Sequence, residues 1–246
     1  MKRKYPKPPI VEALIEFQFV PGQPWDITVP GLMYEKVRKE FPEKKERVEF
    51  IADIKALKDG VEPQISASQR MQFIRPDNSA LLQISRNIFT VNHLKPYSTW
   101  KNFKPLILKN LKLYVDVVKP KGFKRLGLRY INKIEFKNAP FELTDYFNYY
   151  PFIPKNIPQL HEQYNCQIEI PFENRRDRLR LAIGSTNPEK SNKIAILLDL
   201  DYIMMKPETV TIEQFPEWLE NAHTVIEETF EACVTEKCRK LFGENK

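Results

Sequence analysis

The chain has 246 residues, with 39 Lys and Arg against 32 Asp and Glu, for a net charge of +7. A hydrophobic share of 42% is enough for a core, while 7 glycines against 20 prolines argue against glycine-rich phosphate loops. No apolar run nears the roughly 18 residues needed to cross a bilayer, and Cys166, Cys233 and Cys238 lack the spacing of a disulfide framework or zinc site. The expectation is a soluble cytoplasmic protein with no membrane partner.

The charge is uneven. Residues 1–125 hold 24 Lys and Arg against 13 Asp and Glu, and the remainder holds 15 against 19. Such asymmetry suits a polyanion-binding half or two oppositely charged surfaces that meet.

From Val11 to Phe19 the residues alternate, with Ala13, Ile15, Phe17 and Phe19 on one side and Glu12, Glu16 and Gln18 on the other. This is a half-buried strand. A proline-rich connection then leads to a helix from about Leu32 to Phe41, stopped by Pro42. Alternating segments follow at 48–57, 64–75, 80–86 and 88–94, with turn signals at Pro76–Ser79 and Arg86–Asn87. These read as an antiparallel meander.

Ser98 or Thr99 caps a helix to about Val118, whose stripe is Trp100, Phe103, Ile107, Leu111, Tyr114 and Val118. A strand covers Leu126 to Phe136, and a connection rich in proline and aromatics spans 137–164. Strands follow at about 166–172, 178–184 and 193–204. The final helix has Pro216 in its first turn and the stripe Phe215, Trp218, Leu219, Ala222, Ile226, Phe230 and Cys233. Lys237, Arg239 and Lys240 near its end suit the helix dipole, and Gly243 closes it. The fold class is α+β, a single unit of antiparallel sheet in two roughly similar halves, about 1–122 and 123–246. Each half lays one long helix across the sheet.

Pro8-Pro9-Ile10-Val11-Glu12-Ala13, Leu126-Gly127-Leu128-Arg129-Tyr130-Ile131-Asn132 and the closing Trp218-Leu219…Ala222-His223 helix, taken together, resemble a sporadically distributed family of bacterial and archaeal proteins of about 250 residues. That family is uncharacterised, so the resemblance implies a one-unit protein over nearly the whole chain. It brings no activity, cofactor or catalytic residue. Patchy distribution of this kind is a mark of mobile or defence-associated genes.

Three constellations compete for function. Asp199 and Asp201 share a strand face, as do Glu12 and Glu16. They could hold a divalent ion or do acid–base work, or they could pair across strands with Arg125, Arg129, Lys133, Arg178 and Arg180. Asn132 interrupts an apolar row and either pins the following loop or lines a pocket. Nine Lys and Arg between Lys95 and Arg125 face a single acid, Asp116. Of these, Lys101, Lys104, Lys112, Lys119, Lys121, Lys124 and Arg125 are the candidates for nucleic-acid contact.

His93, His161 and His223 lie far apart without metal-ligand spacing, and no catalytic residue or cofactor is called for. The leading expectation is a non-enzymatic binding protein. It would be a homo-oligomer that meets its partner, itself or another protein, through the sheet face and the 137–164 connection. The second is a nucleic-acid-binding accessory protein. The third is an enzyme with Asp199, Asp201, Glu12 and Arg129 around an ion or phosphate.

Overall fold

The structure, a computed structural model, describes residues 3–57, 60–137, 142–159, 162–190 and 192–243, with the backbone alone for 49–57 and 60–68. Nine strands form one antiparallel sheet: β1 (Ile10–Val20), β2 (Glu43–Leu57), β3 (Gly60–Ile74), β4 (Ala80–Ser85), β5 (Ile88–Leu94), β6 (Gly122–Lys137), β7 (Asn165–Phe172), β8 (Asp177–Thr186) and β9 (Lys193–Met204). Their spatial order is β2-β3-β4-β5-β1-β6-β9-β8-β7. The central pair joins the two ends of the chain's plan, with Ala13 opposite Tyr130 and Ile15 opposite Leu128.

Helices α1 (Val29–Val37), α2 (Trp100–Val118) and α4 (Phe215–Cys233) lie on one face of this sheet, joined by the short α3 (Leu143–Tyr146) and α5 (Glu236–Lys240). The alternation read in β1 explains why. Ala13, Ile15, Phe17 and Phe19 are almost wholly buried beneath the helices, so that side of the sheet is the core side. Phe17 is ringed by Phe19, Phe89, Phe123 and Phe215, with ring centroids 5.1–6.0 Å away. Tyr114 of α2 stacks on Phe19 and Phe89 at 4.7 and 4.9 Å. Apolar area removed from water by these rings is the main source of stability.

Several boundaries move. The first helix begins at Val29, not Leu32, because Pro30 occupies a first-turn position where its missing N–H costs nothing. The last helix does not run to Gly243. It ends at Cys233, and Val234 turns extended to bridge Phe147. Thr235 then caps α5 by accepting from the Cys238 N–H. Lys237, Arg239 and Lys240 therefore belong to a separate short helix, not to the dipole of α4. The hairpin β2–β3 outruns its neighbour, since β3 pairs with β4 only over Met71–Ile74.

The two long helices are tied together at one point. Glu220 of α4 accepts from Lys104 and, at 3.2 Å, from the Trp100 indole N–H of α2. Burial works to raise the Glu220 carboxyl, and the bonds from Lys104 and Trp100 outweigh it, leaving the group below the ordinary value of 4.5. Because the folded value is the lower one, the stabilisation is present above 4.5 and is lost as pH falls through the folded value. Lys104→Met should cost under about 1 kcal/mol at pH 7. Denaturant melts should show that difference closing towards pH 4; a gap that persists in acid would assign it to packing alone.

No helix among the described residues is long and apolar enough to cross a membrane.

Candidate functional site

The face opposite the helices carries the even positions of β1 and β5 and the odd positions of β4, β6 and β9. Sequence logic makes this a solvated polar side. The side chains pair across strands, and their carboxylates are left little exposed. Arg129 of β6 donates through Nε to Asp199 Oδ1 of β9 at 2.8 Å and through Nη2 to Oδ2, a two-pronged pair. Hydrogen bonding to Asp199 holds the Arg129 guanidinium more firmly protonated than usual, against the opposing effect of burial. Arg125 donates to Glu16 at 3.1 Å and stands 3.8 Å from Asp201, which Arg180 of β8 approaches at 3.5 Å. The Asp201 side chain is only 9% exposed. Burial raises its carboxyl above the ordinary aspartate value, and Arg125, Arg180 and Arg129 work against that rise.

A second network was not legible in the sequence. Gln72 of β3 donates to Gln83 of β4, Gln83 donates to Asn92 of β5, and Asn92 donates to Glu12 of β1, at 3.0, 3.0 and 2.6 Å. Amide and carboxylate groups thus hand hydrogen bonds across four neighbouring strands. Asn92 is 1% exposed and Gln72 7%, so each group needs the partner it has. The only signal in the sequence is that each alternates with apolar neighbours, which also describes an ordinary solvated strand face.

Arg70 of β3 reaches Glu16 of β1 at 3.6 Å across two intervening strands. A flat sheet would hold strands three places apart at about 14 Å. Extended arginine and glutamate side chains, leaning towards each other over β4 and β5, close that gap.

Of the residues expected to share this face, Glu12, Glu16, Arg129, Asp199 and Asp201 do so. Asn132 lies in the apolar row of β6 on the helix side, where alternation puts it, 2% exposed, and its amide donates to the Leu198 carbonyl of β9 at 3.1 Å. It pins the sheet itself, not the loop after it. The basic set divides as well. Arg125 keeps the alternation of Arg129 and so lies on the charged sheet face, away from α2, while a bulge at Lys124 shifts the β1–β6 register between Gln18 opposite Arg125 and Phe19 opposite Phe123 and turns Phe123 into the core. Lys104 is bound to Glu220, and Lys101, Lys112, Lys119, Lys121 and Lys124 are exposed on the helix side and its following turn. The seven cations do not form one surface.

The stretch of the 137–164 connection around Tyr146–Asn148 packs on the helix side, not beside the charged face. Phe147 is buried against Val234, and Tyr146 meets Phe136 at 4.7 Å. Phe152 is left 82% exposed. Phe141 and His161 lie outside the described residues. The other histidines are apart: His93 bonds the Leu94 carbonyl and Ser98 Oγ, and His223 stacks on Trp100 at 4.0 Å. Burial pushes the Cys233 and Cys238 thiols up to about 11 and about 12, which suits small hydrophobes more than nucleophiles. Among the described residues, no three His, Cys, Asp or Glu are grouped to hold a metal ion.

A cavity of about 290 Å³ opens elsewhere, lined by Pro21–Trp25, Arg86 and Asn87, and none of the charged-face residues lines it. The three stretches singled out in the sequence are brought together. Ala13 pairs with Tyr130, whose ring meets His223 at 5.9 Å, and the Lys7 N–H donates to the Phe242 carbonyl at 3.0 Å.

No family model matches the chain, and no curated protein shows significant similarity to it. The site must be read from its own chemistry.

Proposed function

We propose that the chain is a binding protein without chemistry of its own, and that it meets a second copy or another protein through the charged face of its sheet. The observation that carries this reading is the charge balance of that face. Arg70, Arg125, Arg129 and Arg180 stand against Glu12, Glu16, Asp199 and Asp201, linked side to side by the contacts described above. A face whose charges cancel exerts little pull on a polyanion. An ordered pattern of both signs is one that a two-fold copy of itself can match. Glu16, Asp199 and Asp201 are occupied by arginines and Glu12 by the Asn92 amide, which also leaves them poorly placed to serve as an ion cradle or an acid–base pair.

We further read the chain as two like halves. Strand order supports this: β5 returns to pair with β1 before α2, and β9 returns to pair with β6 before α4. The halves would meet along β1–β6, so the shared charged face would sit on the axis between them.

Size-exclusion chromatography with light scattering, in low and moderate salt, tests the reading. The expected result is an oligomer that survives moderate salt in the wild type and dissociates in Arg180→Glu. A wild-type monomer at all concentrations would overturn the self-association arm. Co-purifying nucleic acid that nuclease removes would shift the function to the exposed lysines of α2.

A further inference from the structure

We propose that the cavity lined by Trp25 and Arg86 seats a mononucleotide, with its base on the indole and its phosphate on the guanidinium. None of the charged-face residues lines this cavity, and the inference does not rest on the interface read there. Two chain segments make the walls, and both are held in place. One is the stretch after β1, where Pro21 and Pro24 fix the backbone. At its start the Val20 carbonyl accepts from the Lys121 N–H at 3.0 Å. Gly22 lies so close to the chain after α2 that a β-carbon there would stand 2.2 Å from the Lys119 carbonyl oxygen, an approach that only glycine admits. The other wall is the turn Arg86–Asn87 between β4 and β5. Asn87 adopts a φ of 57°, which asparagine tolerates, and its carbonyl accepts from the Phe19 N–H at 2.9 Å.

The groups that line this space are uncommitted. Among the described residues, the Arg86 guanidinium has no ion pair, and the Trp25 indole N–H and the Gln23 and Asn87 side-chain amides have no hydrogen-bond partner. Trp25 packs on the core while half-exposed, so its ring is held in position with part of it open. Lys119 and Lys121, which adjoin the first wall, are exposed and likewise without an acid among the described residues. Asp26, the acid next to Trp25, is taken by the N–H and the hydroxyl of Thr28, each at 2.8 Å.

The ligand class follows from that set. Three cations at one end of the sheet, none of them neutralised by a carboxylate among the described residues, draw an anion. The forked donors of an arginine suit a phosphate. An indole beside it offers a stacking surface for a base, and carboxamides can meet base edges or sugar hydroxyls. A mononucleotide carries all of these features. Its size also suits the cavity of about 290 Å³, which stands near the roughly 300 Å³ at which small-molecule sites begin. Inorganic phosphate leaves the indole unused, and a nucleoside leaves Arg86 unused, so neither fills the site.

Calorimetric titration with adenosine monophosphate, adenosine and inorganic phosphate tests the proposal, with tryptophan emission followed on the same samples. The monophosphate should bind saturably and change the emission, and adenosine and phosphate should each bind at least tenfold more weakly. Arg86 is exposed on a turn, so Arg86→Gln should melt with the wild type. It should bind the monophosphate at least tenfold more weakly and leave adenosine binding unchanged. Trp25→Leu should weaken the monophosphate and adenosine alike and abolish the change in emission. No saturable binding of the monophosphate, phosphate binding as tight as the monophosphate's, or an affinity for the monophosphate unchanged in Arg86→Gln would overturn the proposal.

Discussion

Phe17→Ala should cost about 3–5 kcal/mol, the range for truncating a fully buried phenylalanine. Its ring is wholly buried and touches four others, contributed by β1, β5, β6 and α4. It is therefore the place where the central strands and the second long helix are held together. Removing the ring forfeits its transfer free energy and opens a cavity that rigid aromatic neighbours cannot easily fill. For a chain of this length the fall in Tm should be roughly 6–10 °C. Phe17→Leu, which keeps most of the volume, should lose less than half as much. Chemical denaturation of both variants measures this. Equal losses would mean that ring stacking, and not filled volume, is what the site requires.

Arg129→Leu should cost about 3 kcal/mol at neutral pH, because it leaves carboxylates in a poorly solvated place without their cation. Arg129 forms the two-pronged pair with Asp199 and also acts on Asp201 and Glu12. The loss should depend on pH in a defined direction. Burial already raises the Asp201 carboxyl above its ordinary 3.8, and Arg129 is one of three arginines opposing that rise. Taking Arg129 away lifts the folded value further, so the folded state holds its proton more tightly than the unfolded chain does. Stability of the variant then falls as pH rises from 3.8 through the folded value. The gap to wild type should be wider at pH 8 than at pH 5, by urea titration at both. A gap independent of pH would mean that lost packing of the arginine stem explains the cost. The double variant Arg129→Leu/Asp199→Leu should recover part of the stability, since it replaces both charges of the pair with apolar groups.

The two variants probe opposite faces of one sheet, and they differ in how far the sequence anticipated them. Phe17 was placed correctly by alternation alone. Arg129, Asp199 and Asp201 were placed on strand faces by the same rule, but their meeting depends on β6 lying against β9. The low exposure of the two carboxylates was also missed, because an alternating charged row reads as a solvated surface until the neighbouring strands are known. Gln72, Gln83 and Asn92 escaped notice for the same reason: each is unremarkable on its own strand and acquires meaning only from the strand beside it.

The sequence by itself determined the strands' inward faces and the apolar stripes of α2 and α4. It also determined the antiparallel α+β character, because periodicities of two and of 3.6 are local properties of the chain. Tertiary structure alone decided the single nine-stranded sheet and its order, the break between α4 and α5, and the packing of Tyr146 and Phe147 on the helix side. It also decided which of the two sets open to Arg125 it joins, the charged face and not the lysines. Strand neighbours are chosen by side chains far apart in sequence packing around one core. A one-residue bulge such as that at Lys124 then changes which face a side chain joins. Local pattern cannot carry either kind of information.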